Sequence, residues 1–317
     1  MSNPIVIALR TKQKLPTIEP SKPSKFLSVS VIRMFWAVVF FSIMNATIKG
    51  VEGLPTMEIV FFRCVISILF SVFWLRHVSV SWRGTHTLRL VGRGLAGTTA
   101  LYFFFLTIQN MPLASAVTIG YTSPIFTALL AVLFLKEKMR LAQWLFFGVS
   151  FLGVVALKGF DERVSWLYLG VGLLAAAMSG VAYVLVRSLT GKEHPLVVVF
   201  YFQLVGTVVG GAFTVFNFKM PHGWDWLLLL ATGACAHFGQ IYLTLALQGE
   251  KVGVVSSLNF LGAIFATIFG ILFFREHLTL GNVLAMLLVI AGVLLNIWAN
   301  ANGGTGIRRW VANLLSK

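Results

Sequence analysis

Apolar runs of about twenty residues, separated by short polar breaks, recur along the whole of this chain. They cover roughly 32–51, 56–75, 91–109, 114–135, 141–158, 166–187, 195–216, 226–247, 253–274 and 279–298. Each is long enough to carry a helix across the ~30 Å hydrocarbon core of a bilayer. The clearest breaks are Gly53-Leu54-Pro55, Asn110-Met111-Pro112, Lys136-Glu137-Lys138 and Pro221-His222-Gly223. Pro55 and Pro195 each stand where a run begins, the place where a helix tolerates proline best. The runs are continuous and do not alternate with polar positions, which excludes a membrane β-barrel.

The ten runs are two sets of five. Residues 101–155 align without a gap onto residues 240–294, so that Leu106 meets Leu245, Gln109 meets Gln248 and Ile125-Phe126 meets Ile264-Phe265. Leu133-Phe134-Leu135-Lys136-Glu137 likewise meets Leu272-Phe273-Phe274-Arg275-Glu276, and Gly153-Val154 meets Gly292-Val293. Five spans is an odd number, so the second copy is expected to insert upside down. An inverted repeat implies a pseudo-two-fold axis in the membrane plane and a pocket that opens alternately to either side, the arrangement of secondary transporters. The expected fold is an all-α membrane protein of ten transmembrane helices, built as two inverted five-helix repeats over 32–158 and 166–298.

Composition agrees. Of 317 residues 58% are hydrophobic and only 11% charged, and the mean hydropathy is +0.88. Soluble domains carry about 25% charged residues, so this surface must face lipid. The net charge of +15 is spread over loops and tails, with no basic face bearing interleaved aromatics, so nucleic acid is not an expected partner. Most Lys and Arg fall up to Arg33, at 76–93, at 136–140, at 187–192, at Lys251 and in the C-terminal tail. Few (Lys49, Lys158, Arg163, Lys219, Arg275) fall in the alternate segments. That bias predicts both termini on the cytoplasmic side. The tail 1–31 lacks periodicity and is expected to be disordered. The tail 299–317 carries apolar residues at helical spacing from Ile307 to Leu315, suited either to an interfacial helix or to a frayed end. Cys64 and Cys235 lie within apolar runs, no Cys/His cluster has metal spacing, and Ile5–Leu9 is too short for a secretory signal.

The stretch from Pro112-Leu113-Ala114-Ser115-Ala116 through Tyr121-Thr122-Ser123-Pro124-Ile125-Phe126 to Lys136-Glu137-Lys138 resembles the EamA domain of the drug/metabolite transporter superfamily. Arg63 in the second span and Gly153 in the fifth fit the same pattern. The resemblance covers 32–298 as two copies. It implies ten helices, cytoplasmic ends and alternating access by a small metabolite, with helices 1, 3, 4, 7 and 9 lining the cavity. The second copy departs from the pattern: Tyr121 and Pro124 become Phe260 and Ala263, and Arg63 becomes Gln203 when Pro55 is set on Pro195.

An ionisable group within a span is costly and normally faces a cavity or a partner. Arg63 is read as the one charge well inside a span, either a fork for a substrate carboxylate or phosphate or one half of an internal pair with Glu58. Asn45, Tyr102, Tyr121, Tyr183, Gln203, His237, Gln240 and Asn259 join it as candidate substrate-binding residues, with helix-to-helix hydrogen bonding the competing reading. Glu137 and Glu276 sit beside Lys136 and Arg275 at the membrane edge, where capping the following helix or a surface pair is expected. Gly92-Arg93-Gly94-Leu95-Ala96-Gly97 matches a dinucleotide fingerprint but follows no strand, and close helix packing accounts for it and for Gly206 and Gly210. No acid stands at a span centre and no His-Glu-x-x-His or Gly-x-Ser-x-Gly occurs. The expectation is a carrier and no enzyme, without metal or cofactor, as a monomer or homodimer in a cell membrane such as a bacterial inner membrane. The solute expected is an amino acid or related carboxylate, with a vitamin or nucleotide-derived solute (riboflavin or S-adenosylmethionine type) as the alternative. Proton coupling through His237 or Glu58 is the lesser option.

Overall fold

The computed structural model describes residues 29–135, 141–249 and 261–301. Among these it is all-helical: α1 (Val29–Gly50), α2 (Thr56–His77), α3 (Thr87–Asn110), α4 (Leu113–Gly120), α5 (Ser123–Leu135), α6 (Leu141–Phe160), α7 (Trp166–Leu189), α8 (Pro195–Thr214), α9 (Asp225–Gly249), α10 (Leu261–Phe274) and α11 (Leu280–Ala301). Six of them, α1, α2, α3, α7, α8 and most of α9, are long and apolar enough to cross a bilayer. The two tails, Lys136-Glu137-Lys138 and Asn259 lie outside the described residues.

Helix boundaries follow local chemistry. Pro55 and Pro112 precede the first turns of α2 and α4, and Pro195 begins α8 behind His194, whose Nδ1 accepts from the Leu196 N–H. Each proline sits where no N–H would be satisfied in any case. Ser165 Oγ accepts from the Tyr168 N–H and caps α7. The span expected at 114–135 is two helices. Pro124 has no N–H for the Gly120 carbonyl and its ring crowds that residue, so regular α-helix cannot run through. At the break the Thr122 N–H turns to the Ile119 carbonyl, a tighter i→i+3 bond.

The two repeats pack on each other by exchange. Helix α3 lies on α7 as α9 lies on α1, and α3 meets α8 as α9 meets α2. Helices α2 and α8, and α6 and α11, each pack against their own repeat counterpart. Along α6–α11 the contacts are reciprocal: a Cβ on Gly153 would stand 2.7 Å from the Val289 nitrogen, and one on Gly292 2.7 Å from the Ser150 nitrogen. Ser150 Oγ also donates to the Val289 carbonyl at 3.3 Å. Small residues are what let membrane helices approach this closely.

The same reciprocity corrects the alignment of the second span. Gly94 closes on Val205 as Gly233 closes on Ile66, which keeps the register of residues 101–155 on 240–294. Arg63 therefore stands opposite Phe202, and Cys64 opposite Gln203. The extra residue is taken up between the proline and this point, where sequence alone had set Pro55 on Pro195.

One contiguous core, including Ile59, Val60, Phe105, Ile108, Leu113 and Ile119, joins the two repeats at the end where α1 stops and α2 starts. Leu69, Val208, Ile264 and Leu272 are among the large apolar side chains that point outward, as a lipid-facing surface requires. The α6–α11 seam yields a test. Alanine at Gly153 gains up to ~1 kcal/mol of helix propensity but forces the seam apart at backbone, at about 1–3 kcal/mol. Gly153→Ala should lower the melting temperature in detergent by several degrees. Gly148→Ala, where a Cβ meets nothing within 4 Å, should leave it unchanged or higher.

Candidate substrate site

Arg63 lies fully buried in the middle of α2. Its Nη1 donates to Gln203 Oε1 on α8 at 3.2 Å and to Cys64 Sγ at 3.5 Å. Its guanidinium carbon stands 5.1 Å from the centre of the Phe202 ring. No pair with Glu58 forms: that carboxylate, also fully buried, accepts from the Lys219 backbone N–H at 3.0 Å.

A second cation shares the site. Arg93, counted among the cytoplasmic charges from sequence, is the seventh residue of α3, only 6% exposed, with its guanidinium carbon 3.8 Å from the same Phe202 ring. Its Nη2 donates to Gln240 Oε1 on α9 at 3.5 Å. Room for it comes from Gly97, where a Cβ would stand 2.4 Å from Arg93 Nη1 and 2.8 Å from the Phe202 ring. The glycine run read as close packing thus makes space for a charge. Helix α3 begins at Thr87, several residues ahead of the apolar stretch; its first three residues are exposed, and Leu90 then buries against the second repeat. The one signal in the sequence was Arg93 lying between two glycines at the mouth of that run.

Arg63 Nε and Nη2 and Arg93 Nε and Nη1 have no hydrogen-bond acceptor among the described residues, although all four are buried. A guanidinium holds five N–H donors in a fixed fork, so both forks are left part-empty. A cation on a ring face gains only about 2 kcal/mol even when desolvated, too little to replace a counter-charge. Chemically, the arrangement is a receptor for an anion.

The other expected residues fall around this pair. His237, fully buried on α9, pairs through Nδ1 with Ser71 Oγ at 3.2 Å and stacks on Phe70. Its position makes it a link between α9 and α2. Tyr183 on α7 lies within electrostatic reach of Arg93. Tyr121, at the α4–α5 break, sends its hydroxyl against Gly262, where no side chain would fit. Asn45 is buried with its Oδ1 unpartnered among the described residues. Tyr102 lines a cavity of about 750 Å³ between the start of α2, the middle of α3 and the end of α8, with Glu58, Thr98, Thr99, Thr214 and Lys219. A Cβ on Gly206 would meet both Thr98 Oγ1 and the Sγ of Cys64, the residue after Arg63.

Both ends of the helix bundle are tied between the repeats. At the α1, α4 and α10 ends, Lys49 pairs with Glu276 at 3.4 Å and donates to the Ile108 and Met111 carbonyls. Glu276 accepts the Leu113 N–H at 2.8 and 3.0 Å, so it caps α4 of the other repeat and not the helix that follows it. Asp161 is held by Arg163 and by Asn282 Nδ2. Burial would push its carboxyl up, but these donors outweigh it and hold the group below the usual carboxylate range. At the opposite end Glu193 accepts from the Thr85 N–H and hydroxyl and from the His86 N–H. Burial again opposes and hydrogen bonds prevail, so its carboxyl too is depressed.

Residues 26–158 and 166–298 each match the EamA-like transporter family. The chain is 34% identical to the pseudopaline exporter CntI of Pseudomonas aeruginosa over 79% of its own length and 89% of that protein's. It is 30% identical to human solute carrier family 35 member G1 over 85% and 76% of the two chains. A protein of known crystal structure, 16% identical, superposes with a TM-score of 0.64 over 84% of this chain and 95% of that one, which shows the same fold. The chain belongs to the EamA-like transporter family, within the drug/metabolite transporters, and is a multi-pass membrane transporter.

The Glu193 knot makes a pH prediction. A depressed carboxyl contributes stability that is present above its unfolded pKa, about 4.3, and is lost as pH falls through the folded value. Near neutral pH, Glu193→Gln should melt lower than the parent by roughly 1–3 °C, as expected for about 1 kcal/mol. The gap should close as the pH is taken below 4. An equal gap at pH 7 and pH 3.5 would mean that the charge does not hold the knot.

Proposed function

We propose that this transporter is an alternating-access carrier of ten spans, arranged as two inverted five-helix repeats with both termini cytoplasmic. Its solute is a small organic metabolite bearing a carboxylate, in the class of amino acids and related acids. The observation that carries the reading is the pair of part-empty guanidinium forks, Arg63 and Arg93, buried where α2, α3, α8 and α9 meet. Exchange packing of the two repeats supports the inverted arrangement, because five helices cannot return to the side on which they began. CntI is named a pseudopaline exporter, in keeping with a carrier. In this orientation the Lys49–Glu276 tie closes the outer end and the Glu193 knot the inner.

The proposed mechanism is binding and exchange. The carboxylate enters between the forks, with Gln203 and Gln240 fixing their planes, and its charge replaces the missing acceptors. Closure on one side and opening on the other then moves the solute with the charge still compensated. His237 Nδ1 is engaged by Ser71 and Glu58 Oε2 by the 215–224 segment, while His237 Nε2 and Glu58 Oε1 have no partner among the described residues. The proposed mechanism moves no proton through either. The protein is proposed to carry out no covalent chemistry, to need no cofactor and to work as a monomer or homodimer in the cell membrane.

Proteoliposomes loaded with a mixed pool of amino and organic acids provide the test. Counterflow of labelled members of that pool is expected, with at least a tenfold loss in Arg63→Ala and no stimulation by an imposed pH gradient. Stimulation that disappears in His237→Ala would overturn the uncoupled mechanism. Single cysteines at Lys138 and Arg275 should react from opposite sides of the membrane; labelling from the same side would remove the inverted repeat.

A further inference from the structure

From the same site we infer the charge of the cargo: the Arg63–Arg93 pair accepts a dianion, a solute that presents two carboxylates. This rests on the carrier reading and deepens it. A single arginine would match a monocarboxylate, but the site holds two cations and none of the three ion pairs among the described residues includes either. Among the described residues, the groups in contact with the guanidiniums are amide oxygens, a thiol and a ring, all neutral. The one carboxylate on the same stretch of α2, Glu58, is committed to Lys219 at the end of that helix. A monoanion would leave one full charge uncompensated within the membrane, whereas a dianion neutralises the site.

The geometry suits two acidic groups on one molecule. Both guanidinium carbons stand over the ring of Phe202, so they are no farther apart than the sum of their two distances to its centre. Gln203 takes one N–H of Arg63 and Gln240 one of Arg93. Each amide thereby anchors its fork and leaves the remaining nitrogens, Nε and Nη2 on Arg63 and Nε and Nη1 on Arg93, for an acceptor. Arg63 offers Nε and Nη2, the side-by-side pair that can hold a carboxylate through parallel N–H···O bonds, and Arg93 offers single N–H donors from Nε and Nη1. Two such donor sets within one short span describe a receptor for a compact dicarboxylate.

The experiment measures binding to purified protein by thermal shift and calorimetry. The dicarboxylates succinate, glutarate and adipate are compared with butyrate and alanine, followed by proteoliposome counterflow of the same compounds. At least one dicarboxylate is expected to bind tenfold or more tightly than both monocarboxylates. Arg93→Gln should remove that preference, leaving the two classes within about threefold, while Arg93→Lys, which keeps the charge and loses the fork, should retain part of it. Should Arg93→Gln not fold, the comparison on the parent protein decides alone. Equal or tighter binding of the monocarboxylates, or no binding of any dicarboxylate, overturns the inference. Monocarboxylate counterflow without dicarboxylate binding overturns it while the carrier reading stands. Dicarboxylate binding without counterflow of any compound upholds the charge assignment and overturns the carrier reading.

Discussion

Two guanidinium groups buried within a helical bundle, with no carboxylate to meet them among the described residues, set the terms for the rest of this structure. On membrane-insertion scales each central arginine costs about 2.5–3.5 kcal/mol, a large fraction of the 5–15 kcal/mol by which a folded chain is stable. The protein does not relieve that cost with its own acids, although Glu58 stands little more than one helical turn from Arg63. It supplies neutral acceptors and a ring face, which hold the forks in place and leave their charge free. A fold optimised for stability would pair these groups. That they are retained without an acceptor among the described residues is the observation on which the proposed solute site rests.

Duplication places the site, and departure from duplication gives it chemistry. The packing register sets Arg63 opposite Phe202 and Arg93 opposite Thr232, so neither cation has a cationic twin. Were the repeats identical, the axis would carry four like charges in close proximity, which no membrane interior could hold. Substitution in one copy converts a symmetric seam into a cluster in which two cations of the first repeat meet an aromatic ring of the second. Around it the glycines keep their symmetric roles, Gly94 against Val205 and Gly233 against Ile66. Gly97, which admits Arg93, has Ala236 as its counterpart, since that position has no long side chain to receive.

Much of this was legible in the sequence because span length, duplication and charge bias are long-range patterns that many residues repeat. Arg63, Gln203 and Gln240 could be named since polar groups stand out against an apolar run. Arg93 was missed for a physical reason. It lies in the first two turns of α3, where polar residues flank the apolar stretch, and burial there comes from the other repeat and not from lipid. Hydropathy reports on lipid contact, so helix buried against protein reads as loop. The capping of α4 by Glu276 was hidden likewise, since a carboxylate beside an arginine in sequence gives no sign that its partners lie on the other repeat. The break at Tyr121–Thr122 was available from Pro124, whose effect on the preceding turn needs no tertiary contact, but the apolar run on both sides concealed it.

The short helix α4 shows how the centre and the outer end are joined mechanically. Its first free N–H is satisfied by Glu276, and it ends at the break where Tyr121 reaches Gly262 at the start of α10. Only eight residues separate these two points, too few for the helix to bend between them. If α4 parted from residue 276, it would expose an orphan donor in its first turn and take from Glu276 the N–H that it accepts beside Lys49. Helix α4 and the α10–α11 connection are therefore bound to shift together, even though they belong to different repeats.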